Sequence, residues 1–170
     1  MTNSIEIRGL CKSYGDFALR DVNLTLPGGT IMGLIGENGA GKTTTIKCIL
    51  NLVRRDAGEI TLMGRDNIRE EKLAKEDIGV VLDECFFHDT LRPRDVGRIL
   101  APVFRNWDDG LYQDYLDKFQ LPEGKLIKEF SRGMKMKLSL AAALAHHPSV
   151  LVLDEATSGL DPVVRDELLD

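Results

Sequence analysis

The sequence predicts an α/β protein: a parallel core entered through a strand-rich antiparallel start and interrupted by a helical insertion. Three observations predict it. Residues 5–10 and 17–26 alternate apolar and polar side chains at strand spacing around a turn at 13–16. Two short apolar runs, residues 78–82 and 150–153, read as strands buried in a parallel sheet. Between those runs, residues 93–119 and 131–146 carry helical patterns.

Taken in order, Pro27-Gly28-Gly29 forms a turn before an apolar strand at 31–35. A helix follows over 43–52, then a strand over 58–63 that Gly64 terminates, then a short charged helix over 70–76. Residues 83–93 form a loop with exposed aromatics. The helical stretch from Pro93 breaks near Asn106-Trp107-Asp108; Pro93 suits a first helical turn, where its missing N–H costs nothing. Ser131 is a candidate N-cap for the next helix, and the alanines at 141–143 favour close packing. Pro162 opens a last helix that reaches Asp170. The chain carries no repeats and no low-complexity segment.

With 170 residues, the chain suits one domain with a small subdomain. Acids outnumber bases 27 to 22, which argues against a nucleic-acid surface. Cys11, Cys48 and Cys85 are widely spaced and form no C-x-x-C pair, so neither a disulfide framework nor a zinc site is expected. A reduced, cytosolic setting fits. The N-terminus has no apolar run of a signal peptide, and no segment is long enough to span a bilayer. Membrane association is therefore expected only through a partner.

Three motifs carry chemistry. Residues 36–43, Gly36-Glu37-Asn38-Gly39-Ala40-Gly41-Lys42-Thr43, form a complete G-x-x-x-x-G-K-T phosphate loop between the strand and the helix that the motif requires. Its amides, with roughly half a positive charge from the helix end, would face phosphate. Lys42 would reach the β- and γ-phosphates, and the Thr43 hydroxyl would hold Mg²⁺. The run 150–155 ends in Asp154 and Glu155 at the sheet edge where open α/β sheets bind ligands. Asp154 suits Mg²⁺ through water; Glu155 suits orienting or deprotonating an attacking water. Residues 130–135, Phe130-Ser131-Arg132-Gly133-Met134-Lys135, could bind a phosphate at a helix start or could be a plain helix cap.

In these ordered motifs the chain resembles the ATP-binding cassette (ABC) ATPases. The signature, usually L-S-G-G-Q, is Phe130-Ser131-Arg132-Gly133-Met134; the Walker B segment is 150–155; the D-loop is Ser158-Gly159-Leu160-Asp161. The finer likeness is to ATPase subunits of bacterial ABC-2 type exporters, which often show S-K-G-M-K and N-W-D elements; compare residues 131–135 and 106–108. The resemblance implies a P-loop NTPase (RecA-like) parallel core with an N-terminal antiparallel β-subdomain and an inserted helical subdomain. It implies one nucleotide-binding domain over 1–170, with core at about 1–85 and 146–170 and insertion at about 86–145. It implies ATP and Mg²⁺ as cofactors. Tyr14 would stack on adenine; Asn38, Gly39, Ala40, Gly41, Lys42, Thr43 and Thr44 would cradle the phosphates. Thr43 and Asp154 would serve the metal, with Lys42 and Glu155 catalytic. Ser131 and Gly133 would contact the γ-phosphate held by a second cassette in a head-to-tail homodimer or heterodimer. The implied activity is ATP hydrolysis powering an exporter, at the cytoplasmic face of the cell membrane through a membrane-spanning permease. The alternatives are a soluble ABC ATPase of translation or DNA repair, which the short insertion argues against, or a nucleotide-binding module without hydrolysis.

The chain departs from the family pattern in places. Asp83 stands where a glutamine is usual, and could ligate the metal. The switch histidine expected past the D-loop is missing, so the chain reads as C-terminally truncated; His88, His146 and His147 read as surface or loop residues. The strand bearing that histidine would lie between the strands at 31–35 and 150–153. The gap is expected to be filled by another segment or chain, or to close up. Cys85, Phe86, Phe87, Leu91 and the helix over 94–104 are expected to line the cleft that receives the permease.

Overall fold

A computed structural model describes residues 3–154. Two compact units divide the chain, Met1–Glu76 and Asp77–Asp170. Glu155, the D-loop and the helix expected after Pro162 lie outside the described residues.

The first unit holds a four-stranded antiparallel sheet in the order β2-β1-β3-β4, built from β1 (Asn3–Tyr14), β2 (Phe17–Pro27), β3 (Ala57–Leu62) and β4 (Arg65–Asp66). Alternation puts Ile5 and Ile7 inside, then the parity shifts so that Leu10 is the next buried side chain. The register explains it: Ile7 faces Leu24 but Leu10 faces Val22, so three steps on β1 match two on β2. Gly9 sits in this bulge with φ of 61°, and its N–H donates to Asn23 Oδ1 at 2.9 Å. Helices α1 (Lys42–Ile49) and α2 (Glu71–Glu76) complete the unit. Its buried apolar residues come from the sheet (Ile5, Ile7, Leu10, Leu19, Ile60, Leu62), from α1 and its C-cap (Ile46, Cys48, Ile49, Leu50) and from α2 (Ala74).

Asn67, only 2 % exposed, ties these elements together. Its amide donates to the carbonyls of Cys48 and Ile49 at 2.7 and 2.8 Å, two of the orphan acceptors that end α1. Its own oxygen accepts from Arg55, whose guanidinium also reaches the Gly58 carbonyl and Asp66.

One expectation fails here. Residues 31–35 form no strand: they make no ladder with any described residue, and Ile31 and Ile35 are 77 % and 98 % exposed. A strand exists only through a neighbour's hydrogen bonds, and apolar composition cannot supply the neighbour. Among the described residues, β6 pairs with β5 alone.

The second unit pairs β5 (Ile78–Val81) with β6 (Val150–Leu153) in parallel, Ile78 beside Val150 and Val81 beside Leu153. Around them lie α3 (Pro93–Leu100), α4 (Asp109–Lys118), a 3₁₀ turn (Ile127–Glu129) and α5 (Arg132–Leu144). Pro93 does open α3, and the Arg92 N–H donates to Asp95 at 3.0 Å, capping its start. The break near 106–108 is a cap as well: Asp108 accepts from the Leu111 N–H at 2.9 Å and starts α4. The core runs from Val81 and Val96 through Tyr112, Leu116 and Ile127 to Leu138 and the alanines of α5.

His146 corrects half of a second expectation, for it lies in the turn after α5 but not at the surface. It is buried, not a surface residue, because its ring stacks on Phe104 with centroids 4.0 Å apart and Nε2 meets the Ile78 carbonyl at 3.1 Å. His147 stays exposed and pairs with Asp108 at 3.2 Å.

Candidate functional site

The phosphate loop in the first unit is exposed from residue 36 to residue 40 and becomes buried at Gly41. Gly41 is the N-cap of α1, with φ of 97°. The backbone there demands glycine, and a Cβ would push the end of the Leu19 side chain aside and stand 3.0 Å from the Phe17 ring. The Ala40 N–H returns to the Glu37 carbonyl at 3.1 Å, closing the turn. Amides that begin a helix lack intrahelical partners. Those of α1 receive no side-chain cap and face no acid in the first turn. Such an end is electropositive and open to an anion.

Lys42 Nζ donates to the Gly36 and Glu37 carbonyls, at 2.6 and 2.9 Å. The ammonium thus lies inside the curve of the loop, whose carbonyls it holds. Thr43 is exposed and Thr44 half-buried, while Thr45 turns inward and donates its hydroxyl to the Gly41 carbonyl at 2.8 Å. Asn38, Gly39 and Ala40 are exposed along the loop. Tyr14 ends β1 and is 45 % exposed, with the Lys12 ammonium 5.2 Å from its ring centre. Lys12 also binds Asp56 at 2.8 Å, and that bond raises the lysine pKa while lowering the carboxylate's.

In the second unit, the Asp154 N–H donates to the Val81 carbonyl at 2.9 Å, extending the β5–β6 ladder by one residue. Asp154 therefore stands at the C-terminal end of its strand, where the sequence reading placed it. Asp83, two residues past β5, pairs its carboxylate with Arg132. Ser131 caps α5, its Oγ accepting from the Met134 N–H at 3.2 Å. Capping uses a lone pair and leaves the O–H donor for another acceptor. Gly133 is half-buried in the first turn, which contains no acid.

These features fit a nucleotide's polyphosphate: an acid-free helix start, a lysine within the loop, and a glycine that nothing larger can replace. Among the described residues, no group of three or more His, Cys, Asp or Glu side chains gathers as a metal site. Sequence reasoning missed one pairing, that of Asp83 with Arg132, and one residue, Asn67. Arg132 and Asp83 lie 49 positions apart with nothing in the sequence to pair them, and Asn67 sits in a polar stretch with no motif.

Comparison with known proteins agrees with this geometry. Residues 19–158 match the family described as ABC transporter. The ATP-binding protein YtrB of Bacillus subtilis (strain 168) is 34% identical over 166 residues, covering 97% of this chain and 56% of YtrB. The bacitracin transport ATP-binding protein BcrA of Bacillus licheniformis is 35% identical, covering 99% and 56%. The chain thus spans about half the length of these relatives. A solved structure described as the ATP binding subunit of an ABC transporter superposes with TM-score 0.87 at 27% identity, covering 97% of this chain and 71% of that one. The ADP- and phosphate-bound dimeric cassette MJ0796 shares the fold at TM-score 0.81 and 21% identity, covering 97% and 79%. With its loop, its strand-end acid and its antiparallel sheet in the family's order, the chain belongs to the ABC transporter family.

Proposed function

We propose that this chain is the ATP-binding and hydrolysing part of a subunit that powers an exporter through ATP-driven pairing of two cassettes. The observation that carries the reading is the phosphate loop: Gly41 confined between Leu19 and Phe17, Lys42 folded into the loop, and an α1 start free of acids. Bound Mg·ATP would supply the phosphoryl group to be transferred to water. The residues of this chain position it. The loop amides and Lys42 hold the phosphates, Thr43 and Asp154 serve Mg²⁺, Tyr14 flanks the base, and Glu155 orients the attacking water. Ser131 and Gly133 complete the site of the second cassette. Catalysis of this class is mostly positioning and charge stabilisation, so distributing donors over two chains makes turnover depend on pairing.

Relatives described as bacitracin transport, lantibiotic transport and daunorubicin resistance ATP-binding proteins support the exporter reading. A membrane-spanning permease is the partner we infer, docking where Phe86 is 75 % exposed beside the half-buried Phe87 and Leu91, with Ile99 and Val103 also exposed. No described helix is long and apolar enough to cross a membrane, so the subunit would meet the cytoplasmic face through that permease.

The test is nucleotide binding and turnover by the protein expressed from its natural reading frame. Lys42→Ala should abolish ATP binding, read by titration with a fluorescent ATP analogue. Glu155→Gln should bind ATP and trap a dimer visible by sedimentation. Undiminished turnover in Glu155→Gln would remove Glu155 from its role, and unaltered binding in Lys42→Ala would remove the site itself.

A further inference from the structure

The start of α5 carries two cations in its first turn, and both are matched by acids from one loop. Arg132 pairs with Asp83, and Lys135 with Asp89 at 2.9 Å. The two acids are held differently. Asp89 is fixed by main-chain bonds, its carbonyl accepting from the Lys128 N–H at 3.1 Å near a second bond, Ile127 N–H to the Leu91 carbonyl at 2.9 Å. Asp83 sits just past the end of β5, beside a cleft of about 540 Å³ that Glu84, Cys85, Phe130, Arg132 and Lys135 help to line.

We propose that Asp83 and Arg132 form an electrostatic latch, the carboxylate standing in for the phosphate that a nucleotide on a second copy of this chain would bring to the start of α5. The proposal rests on the reading that Ser131 and Gly133 face that nucleotide. A guanidinium fork accepts carboxylate and phosphate oxygens with the same planar geometry. Arg132 directly follows the capping Ser131 and belongs to a helix whose first turn contributes no acid of its own. Asp83, an acid that meets it, comes from 49 residues away. Exposure makes the pair exchangeable: the side chains are 64 % and 45 % exposed. An ion pair in water is weak and gives way to a multiply charged competitor, whereas a buried one would resist separation. Pairing of two cassettes would exchange Asp83 for the incoming triphosphate at each of two sites, so the latch raises the ATP concentration needed to pair.

The test uses the protein from its natural reading frame in a Glu155→Gln background, with dimer formation followed by sedimentation as ATP is raised. Asp83→Asn should lower the half-maximal ATP concentration about twofold to fivefold, an effect sized for weak exposed pairs. The same substitution should do nothing further in an Arg132→Gln background, and molar salt should shrink the difference. Asp89→Asn, which releases the neighbouring pair, should leave the threshold where it was. A threshold unmoved or raised by Asp83→Asn overturns the latch. So does an equal shift from Asp89→Asn, which would mean general loosening of the loop. If the parent itself forms no ATP-dependent dimer, the underlying reading falls and the latch with it.

Discussion

Single side chains decide how this protein answers acid. Burial pushes the His146 imidazole below its ordinary value of about 6.5, against the partial opposition of the Ile78 carbonyl, and the Phe104 ring covers one face. Folding thus favours the neutral ring. Its contribution is complete above about pH 6.5 and declines as pH falls toward the lowered folded value, because the unfolded chain then binds the proton more readily. Asp56, Asp66, Asp89 and Asp108 are also held below the usual carboxylate range, by Lys12, the Arg69 N–H, Lys135 and the Leu111 N–H respectively. Their contributions are complete above the ordinary carboxylate range and decline as pH falls through it toward the lowered folded values. Urea unfolding from pH 7 to pH 5 should therefore show a loss of stability ahead of the carboxylate range, and His146→Phe should flatten it. A wild-type stability that is level across that interval would place the ring in contact with water.

At the scale of elements, the ends of helices matter more than their middles. Asn67 closes the far end of α1 while the opposite end of the same helix receives the phosphate loop. Asn67→Ala takes the amide donor from the Ile49 carbonyl, leaves the Cys48 carbonyl with the Asn51 N–H, and removes one hydrogen bond of the Arg55 guanidinium, and should cost about 1–3 kcal/mol. Denaturant titration at unchanged slope would measure it, and a loss well under 1 kcal/mol would mean that water satisfies those groups. Much of this level was legible from residues. Alternation marked β1 and β2, Pro93 marked the start of α3, and Ser131 was recognisable as a cap because its chemistry is local. What stayed hidden was non-local. The bulge at Gly9 follows from register, the buried state of His146 from Phe104 lying 42 positions earlier, and the Asp83 pair from a helix 49 positions away.

For the molecule as a whole, the strip at 31–35 stands out among the described residues for how little its apolar side chains are covered. Four of its five residues, Ile31, Met32, Leu34 and Ile35, are large hydrophobics in the open. Sequence could identify the strip as strand-like but not supply its neighbours, since a ladder is a property of pairs. Bare main chain beside exposed apolar groups is a template for association. Ile35→Lys should reduce self-association of this 170-residue chain, read by light scattering against concentration, and shift its unfolding free energy by no more than about 0.5 kcal/mol. Unchanged association would point to another surface, such as that around Phe86.

The crowding of Gly41 by Leu19 and Phe17 has an evolutionary corollary. The anion cradle and the hairpin behind it cannot drift separately, since a bulkier side chain at either hairpin position would press on the one residue that has nowhere to retreat. Positions 17 and 19 inherit their size limits from a glycine more than twenty places downstream, while the half-buried Val22, Leu24 and Leu26 of the same strand answer to the β1 residues opposite them.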